Sequence, residues 1–356
     1  MNIVHIYNGS LEGGVLKVAV EECKHLNILG NTSIIVTSLC LDAYKEVYFQ
    51  PKLPINFKSS YFLSPFLCSV STIIRPKLPK NFKPDWIIAQ NIYSIMDALR
   101  LARETRAKSC LIIHSGRYSL IPTYVFSSLT EKREKVVSML HEFDLIIAVN
   151  KKLAKKFNEE AHIDVKYIPL GCLPIKEFPD KRRNFALCIS RLSFGKRIDI
   201  VARLLSMADK SYLVIFAGHR TSTTGKVFKK IKDYGLKNFK IVYNLPDEML
   251  CKLNSMSKFF IGFSSGLPPL EAAAHGSPVV CDYTSWADEY FVDGVHGFIY
   301  KNDYEIFSKG PRDVKTLMLD DAKALKMGYN AWKLVKEKFT WMHHTRKLEE
   351  LLRAGI

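Results

Sequence analysis

Arg191 and Lys196 lie five residues apart in "SRLSFGKR", separated by a loop that Gly195 eases. The apolar run "FALCIS" (185–190) before them has the length and composition of a buried strand, so both cations leave a strand end. An Arg fork and a Lys point charge converging there could grip the oxygens of a diphosphate. Solvated surface charge is the competing reading, because both residue types are abundant in this chain. A second element follows in "SSGLPPLEAAAHGSPVV" (264–280). Pro268 and Pro269 suit a first helical turn, and Gly276 suits the left-handed position after the last one. The N–H groups around Gly266, Leu267 and Leu270 would then face an anion, and Gly266 would let it approach the backbone closely. Glu271, one turn in, has the reach to accept hydrogen bonds from ribose hydroxyls. Its other reading is a charge that complements the helix dipole.

The first half of the chain offers a looser pair. "LEGGVLKVAV" places Gly13 and Gly14 between a strand and its helix, a loop able to turn backbone N–H groups toward an anion. This is not a GxGxxG pattern and no matching acid follows, so a dinucleotide fingerprint is absent; a plain tight turn is the alternative. His114 ends the strand "CLIIH". It could donate to a sugar hydroxyl or stabilise developing charge, or it could be a satisfied structural histidine.

Short β-branched runs must position these groups, and they alternate with amphipathic segments throughout. "NIVHIY", "TSIIVTS", "DWIIAQ", "SCLIIHS", "DLIIAVN" and "DVKYIPL" form one series; "FALCIS", "SYLVIFAG", "FKIVYN", "KFFIGF", "SPVVCDY" and "GFIY" form a second. Two successive βαβ series predict an α/β protein of two doubly wound parallel-sheet, Rossmann-like domains facing across a cleft at their strand C-terminal ends. The expected domains are 1–175, 176–335 and a C-terminal helix over 336–356 that packs back toward the first domain. The seam is expected near 171–184, and "ALKMGYNAWKLVKEKFTWMHHTRKLEELL" reads as one long helical segment.

The 356 residues are 47% hydrophobic and 24% charged, the balance of a soluble globular protein. No run reaches the length of a membrane span, and "MNIVHIYNGS" reads as a strand and turn rather than a signal peptide, which predicts a cytoplasmic protein. The eight cysteines are scattered without CxxC spacing and read as small buried thiols. Lys and Arg exceed Asp and Glu by 52 to 35, a net charge of +17 that favours anionic partners.

The glycine-rich first loop, His114 at a strand end, "IPLGC", "SRLSFGKR", "GLPPLEAAAHGSPVV", "DEYFVDGVHGFIY" and "KFTWMHHTRKLEELL" occur in the order seen in glycosyltransferase family 4, the retaining group with the GT-B fold, which the chain resembles over nearly its whole length. The resemblance implies that Arg191 and Lys196 hold the diphosphate of a nucleotide-sugar donor and that Glu271 binds its ribose. It also implies that Gly13, Gly14 and His114 help bind phosphate and the transferring sugar. Two departures stand out. Ser190 replaces the glycine before Arg191. Counting back from Glu271 puts Phe263 where the family's first glutamate stands; alternatively the loop is shortened to "FSSG" with Ser264 or Ser265 as its remnant, and Ser265 is counted with the donor site on that ground.

The expected activity is transfer of a sugar from a nucleotide-diphosphate donor to a glycan or lipid-linked acceptor, with retention implied by the resemblance. Arg191, Lys196 and the bare N–H groups would stabilise the departing diphosphate, and His114 would act at the sugar. No Asp-x-Asp pair stands at a strand end, so no metal or other cofactor is expected. Peripheral contact with an anionic membrane is a further expectation, resting on "KKLAKK". Two other classes stay open: a catalytically silent GT-B subunit, suggested by the missing glutamate, and a nucleic-acid-binding protein, suggested by the charge alone. The second lacks a basic stripe with interleaved aromatics, and no nucleic acid is expected.

Overall fold

The computed structural model describes residues 1–8, 14–37, 48–49, 77–114, 136–264 and 266–355. They divide into two compact units, Met1–Leu170 with Trp341–Ile356, and Gly171–Thr340.

The first unit is built on a seven-stranded sheet: β1 (Asn2–Ile6), β2 (Thr32–Val36), β3 (Tyr48–Phe49), β4 (Trp86–Ala89), β5 (Lys108–Ile113), β6 (Leu145–Ala148) and β7 (Val165–Tyr167). Its order is β3-β2-β1-β4-β5-β6-β7, with neighbours parallel throughout. Every residue of β4 is buried, as a parallel sheet covered on both faces requires. Helices α1 (Gly14–Ile28), α2 (Ile95–Thr105) and α3 (Lys151–Ala161) connect these strands. The Asn150 side chain caps α3 by accepting from the Leu153 N–H at 2.8 Å.

The second unit carries β8 (Arg183–Ile189), β9 (Val214–Gly218), β10 (Phe239–Tyr243), β11 (Ser257–Ile261), β12 (Val279–Asp282) and β13 (Gly297–Tyr300). All pairs are again parallel, in the order β10-β9-β8-β11-β12-β13. Its helices are α4 (Ile198–Ala208), α5 (Thr224–Asp233), α6 (Asp247–Met256), α7 (Pro268–Ala274), α8 (Asp303–Ser308), α9 (Gly310–Leu319) and α10 (Asp321–Lys338). The core gathers Leu192, Ile198, Leu204, Phe216, Phe259 and Phe263 among others.

Each apolar run read as a strand forms one, and both doubly wound sheets are present. The terminal segment, however, is two helices. α10 stops at Lys338, and α11 (Trp341–Ala354) begins after a break. The Cys172 N–H donates to the Phe339 carbonyl at 2.8 Å, and Thr340 forms a parallel bridge with Cys172, so this backbone serves a partner other than its own helix. Residues 171–184 belong to the second unit. Arg182 is held there by the carbonyls of Asn254, Ser257 and His275. α11 packs on α1 within the first unit, with Leu348 and Leu352 fully buried.

Of the cysteines, Cys23, Cys110, Cys172, Cys188, Cys251 and Cys281 are described, and of these only Cys251 is not buried. No helix among the described residues is long and apolar enough to cross a membrane.

Candidate functional site

In the second sheet β8 and β11 are neighbours although β9 and β10 intervene in sequence. Such a reversal opens a crevice at the strand C-terminal ends, the place where doubly wound sheets bind ligands. Two loops meet there. After β8 the chain makes a short turn, Phe194–Lys196, closed by the Arg197 N–H on the Phe194 carbonyl. The turn carries the half-buried Lys196 ammonium to within 2.7 Å of the Ser264 carbonyl in the loop after β11.

Ser264 is fixed from both sides. Its backbone is left-handed, with φ +52°, and its N–H donates to Asp282 Oδ1 at 3.2 Å and to Thr284 Oγ1 at 3.1 Å. The buried Asp282 carboxylate at the end of β12 also accepts from Arg197 (2.5 Å), Thr284 (2.7 Å) and Ser285 (2.9 Å). Arg197 reaches Asp303 as well. Hydrogen bonds to a charged acceptor contribute roughly 1.5–3 kcal/mol each, so this carboxylate ties three loops together. Sequence reading missed Asp282 and Arg197, whose partners come from separate loops with no periodic spacing.

Lys196 and the loop before α7 are neighbours. Arg191 is exposed and directly follows the buried Ser190 at the end of β8. Ser190 Oγ has no hydrogen-bond partner among the described residues. Gly218, at the end of β9, sits against this turn; a Cβ there would lie 1.8 Å from the Ser190 carbonyl oxygen. Gly266 and Leu267 lead into α7, whose first residues are Pro268 and Pro269. Leu270 differs from expectation: its N–H donates to the Leu267 carbonyl at 3.0 Å, so it is used within the turn. Glu271 is half-buried one turn into α7. Gly276 takes the left-handed position with φ +77°, and a Cβ there would meet Arg182 and the Phe178 ring. Phe263 is fully buried in the core, with the Arg197 guanidinium 5.7 Å from its ring centre. Ser265 and Gly13 lie outside the described residues.

In the first unit, the strand order reverses between β1 and β4. Gly14 is exposed at the start of α1. His114 directly follows β5 and is half-buried, with Nε2 3.4 Å from Gln90 Oε1 at the end of β4. Burial pulls its pKa down to about 4 against the opposing pull of Glu22, so the ring is neutral at neutral pH. Behind Gln90 lies a group that sequence reading did not single out. Gln90 Nε2 lies 2.5 Å from Glu22 Oε2 and 2.7 Å from His5 Nδ1. Glu22 Oε1 is 2.8 Å from His344 Nε2 on α11. Glu22, His5 and Gln90 are wholly buried. A signal was available: Glu22 lies on the apolar stripe of α1, with Val18, Ala19 and Leu26.

Two doubly wound parallel sheets, each with a polar loop cluster at its switch point, define the GT-B fold. Residues 203–350 match a protein-family model described as "Glycosyl transferase-like". Sucrose-phosphate synthase from Thermosynechococcus elongatus superposes with a TM-score of 0.76 at 15% identity, covering 99% of this chain and 98% of that one. A glycosyltransferase from Rickettsia africae gives 0.71 at 20% identity, covering 99% and 98%. Anabaena Alr3699/HepE, in complex with UDP-glucose, gives 0.72 at 17% identity, covering 99% and 100%. No curated protein sequence matches the chain. The chain thus has the GT-B fold, and its residues 203–350 are similar to glycosyl transferase-like domains.

Proposed function

We propose that the protein is a retaining glycosyltransferase of family 4 that moves a sugar from a nucleotide-diphosphate donor to a glycan or lipid-linked acceptor. The observation that carries this is the meeting of Lys196 with the Ser264 carbonyl at the switch point of the second sheet, inside the region matched by the glycosyltransferase model except for the loop preceding α4. Ser190 supports it. A buried hydroxyl without a partner costs about 1–3 kcal/mol, and a phosphate oxygen at this crevice would accept from it. HepE was solved with UDP-glucose and S. aureus TarM with UDP, which supports a uridine diphosphate sugar as the first donor to test.

In this reading Arg191 and Lys196 take up the charge that grows on the diphosphate as the glycosidic bond breaks. They stabilise the transition state more than the ground state. The N–H groups of Gly266 and Leu267 bind the same phosphates, and Glu271 accepts from the ribose. Gly14 serves the sugar. His114, neutral, exchanges hydrogen bonds with the transferring sugar. No resident metal or cofactor takes part, so EDTA leaves turnover unchanged.

The experiment is a thermal-shift and turnover screen with UDP-glucose and other nucleotide sugars, because a ligand selective for the folded state raises its stability. Turnover with one of them supports transfer. Phe263 favours a second reading, a donor-binding subunit without activity, because core packing occupies the position of the family's first glutamate. Stabilisation by a nucleotide sugar without transfer or hydrolysis would select it. A bilayer-borne acceptor draws on the lysines of α3, of which Lys155 and Lys156 pair with Glu159 and Glu160. Liposome binding that does not rise with acidic lipid content would remove it.

A further inference from the structure

We infer that Glu22 and His344 are positioning residues for His114: through Gln90 they set which ring nitrogen of His114 carries hydrogen, and so tie the C-terminal helix to the sugar-side group. The functional consequence rests on the reading of His114 given above.

The argument runs from partners that can only accept. His344 Nδ1 lies 2.7 Å from the Pro169 carbonyl oxygen and Nε2 lies 2.8 Å from Glu22 Oε1. A carbonyl and a carboxylate both accept, so both ring nitrogens donate and the ring is an imidazolium. The other Glu22 oxygen faces Gln90 Nε2 at 2.5 Å, which requires the amide NH2 on that side. The same NH2 donates to His5 Nδ1, and His5 Nε2–H donates to Ser33 Oγ at 3.1 Å. With its NH2 so committed, Gln90 turns Oε1 toward His114, whose Nε2 must donate. His114 Nδ1 therefore bears the lone pair and is matched to a sugar hydroxyl that donates. The reverse Gln90 orientation would set an amide oxygen against a buried carboxylate. At 0% exposure for Glu22 and Gln90 and 2% for His344, no water relieves that repulsion.

Electrostatics agree. Burial alone would raise the Glu22 carboxyl, but the His344 hydrogen bond and charge hold it below its ordinary range. Burial lowers His5 to about 4, against the pull of Glu22, which keeps it neutral. The ion pair is thus Glu22 with His344 alone. A structural clamp between α1 and α11 would need the ion pair but would place no demand on the His114 tautomer.

The test is side-chain 15N–1H NMR of the full-length protein labelled at histidine, with His5, His114 and His344 assigned by His→Gln substitution. Unmodified protein at neutral pH is expected to show His344 protonated on both nitrogens and His114 neutral with hydrogen on Nε2. In Glu22→Leu the Gln90 amide loses the carboxylate that fixes its NH2, and His114 is expected to populate Nδ1–H as well as Nε2–H. A neutral His344 in the unmodified protein, or a His114 that keeps Nε2–H alone in folded Glu22→Leu, overturns the inference. Should that variant fail to fold, the unmodified spectra decide alone. With UDP-glucose hydrolysis as readout, folded Glu22→Leu should lose roughly tenfold in kcat, the scale of one lost hydrogen bond to the sugar, with KM little changed. A switched tautomer with unchanged kcat would leave the positioning intact and overturn the role given to His114.

Discussion

Lys196 and Asp282 hold Ser264 from opposite sides, one through its carbonyl and one through its N–H, and their removal should have different consequences. Lys196→Ala loses the half-buried hydrogen bond to the Ser264 carbonyl, so the melting temperature should fall only modestly while turnover falls by about 10²-fold or more, the scale of a lost charge-stabilising donor. Arg191→Ala should behave alike. The double variant should fall short of the product of the two, because both cations act on one diphosphate. Near-normal rates in either single variant would contradict that role. Asp282→Ala should instead unfold the loops. It removes the acceptor that Arg197, Thr284, Ser285 and the Ser264 N–H share, and removing one partner of a buried charge pair costs about 3–5 kcal/mol by urea unfolding. A loss below about 1 kcal/mol would show that the network contributes only as a surface pair does. Lys196 was legible because a strand end and a five-residue spacing locate it. Asp282 was not, since an acid after "VVC" looks like any loop acid until three loops converge on it. Glu22 was legible in principle as an acid on an apolar stripe.

At the scale of elements, alternation of β-branched runs with amphipathic segments carries the topology, because parallel neighbours need helical crossovers of one hand. That is why two doubly wound parallel sheets could be anticipated from short runs such as "DWIIAQ". What escaped was short or shared. β3 has two residues, too few for any periodicity. The break between α10 and α11 depends on Cys172, far away in sequence, whose N–H takes the Phe339 carbonyl. Gly218 belongs to this scale too. Its missing side chain lets β9 end against the Ser190 carbonyl, and the Leu192 N–H then reaches the His219 carbonyl at 3.0 Å. Gly218→Ala should therefore separate the ends of β8 and β9 and cost about 1–3 kcal/mol or more, as overpacking does, with donor binding impaired beyond that loss. Unaltered stability and donor affinity would show that this turn tolerates the added carbon.

For the whole molecule, acid stability follows from the buried histidines. An unfolded histidine takes up a proton below about 6.5, whereas His5 in the folded chain does so only near 4. The unfolded state thus binds more protons in that window, and stability, complete above it, is lost as pH falls through it. For the fully buried His5 the loss approaches about 3 kcal/mol at the acid end; the half-exposed His114 adds less. Glu22, with its lowered carboxyl, acts in the same direction at still lower pH, where its charge is lost. Melting temperatures measured across this range should decline with acid, and the slope should be shallower in His5→Gln; a flat profile would contradict the neutral assignment. Ending the chain after Thr340 should unfold the first unit, because α11 covers α1 and supplies the partner of Glu22. The central claim, a nucleotide-diphosphate site at the switch point of the second sheet, is tested most directly by calorimetric titration of UDP, GDP and ADP into the unmodified protein and Lys196→Ala. One diphosphate should bind the former and lose about tenfold or more in affinity, about 1.4 kcal/mol, in the latter. Equal affinity in both proteins, or heat from none of the three nucleotides, would contradict it.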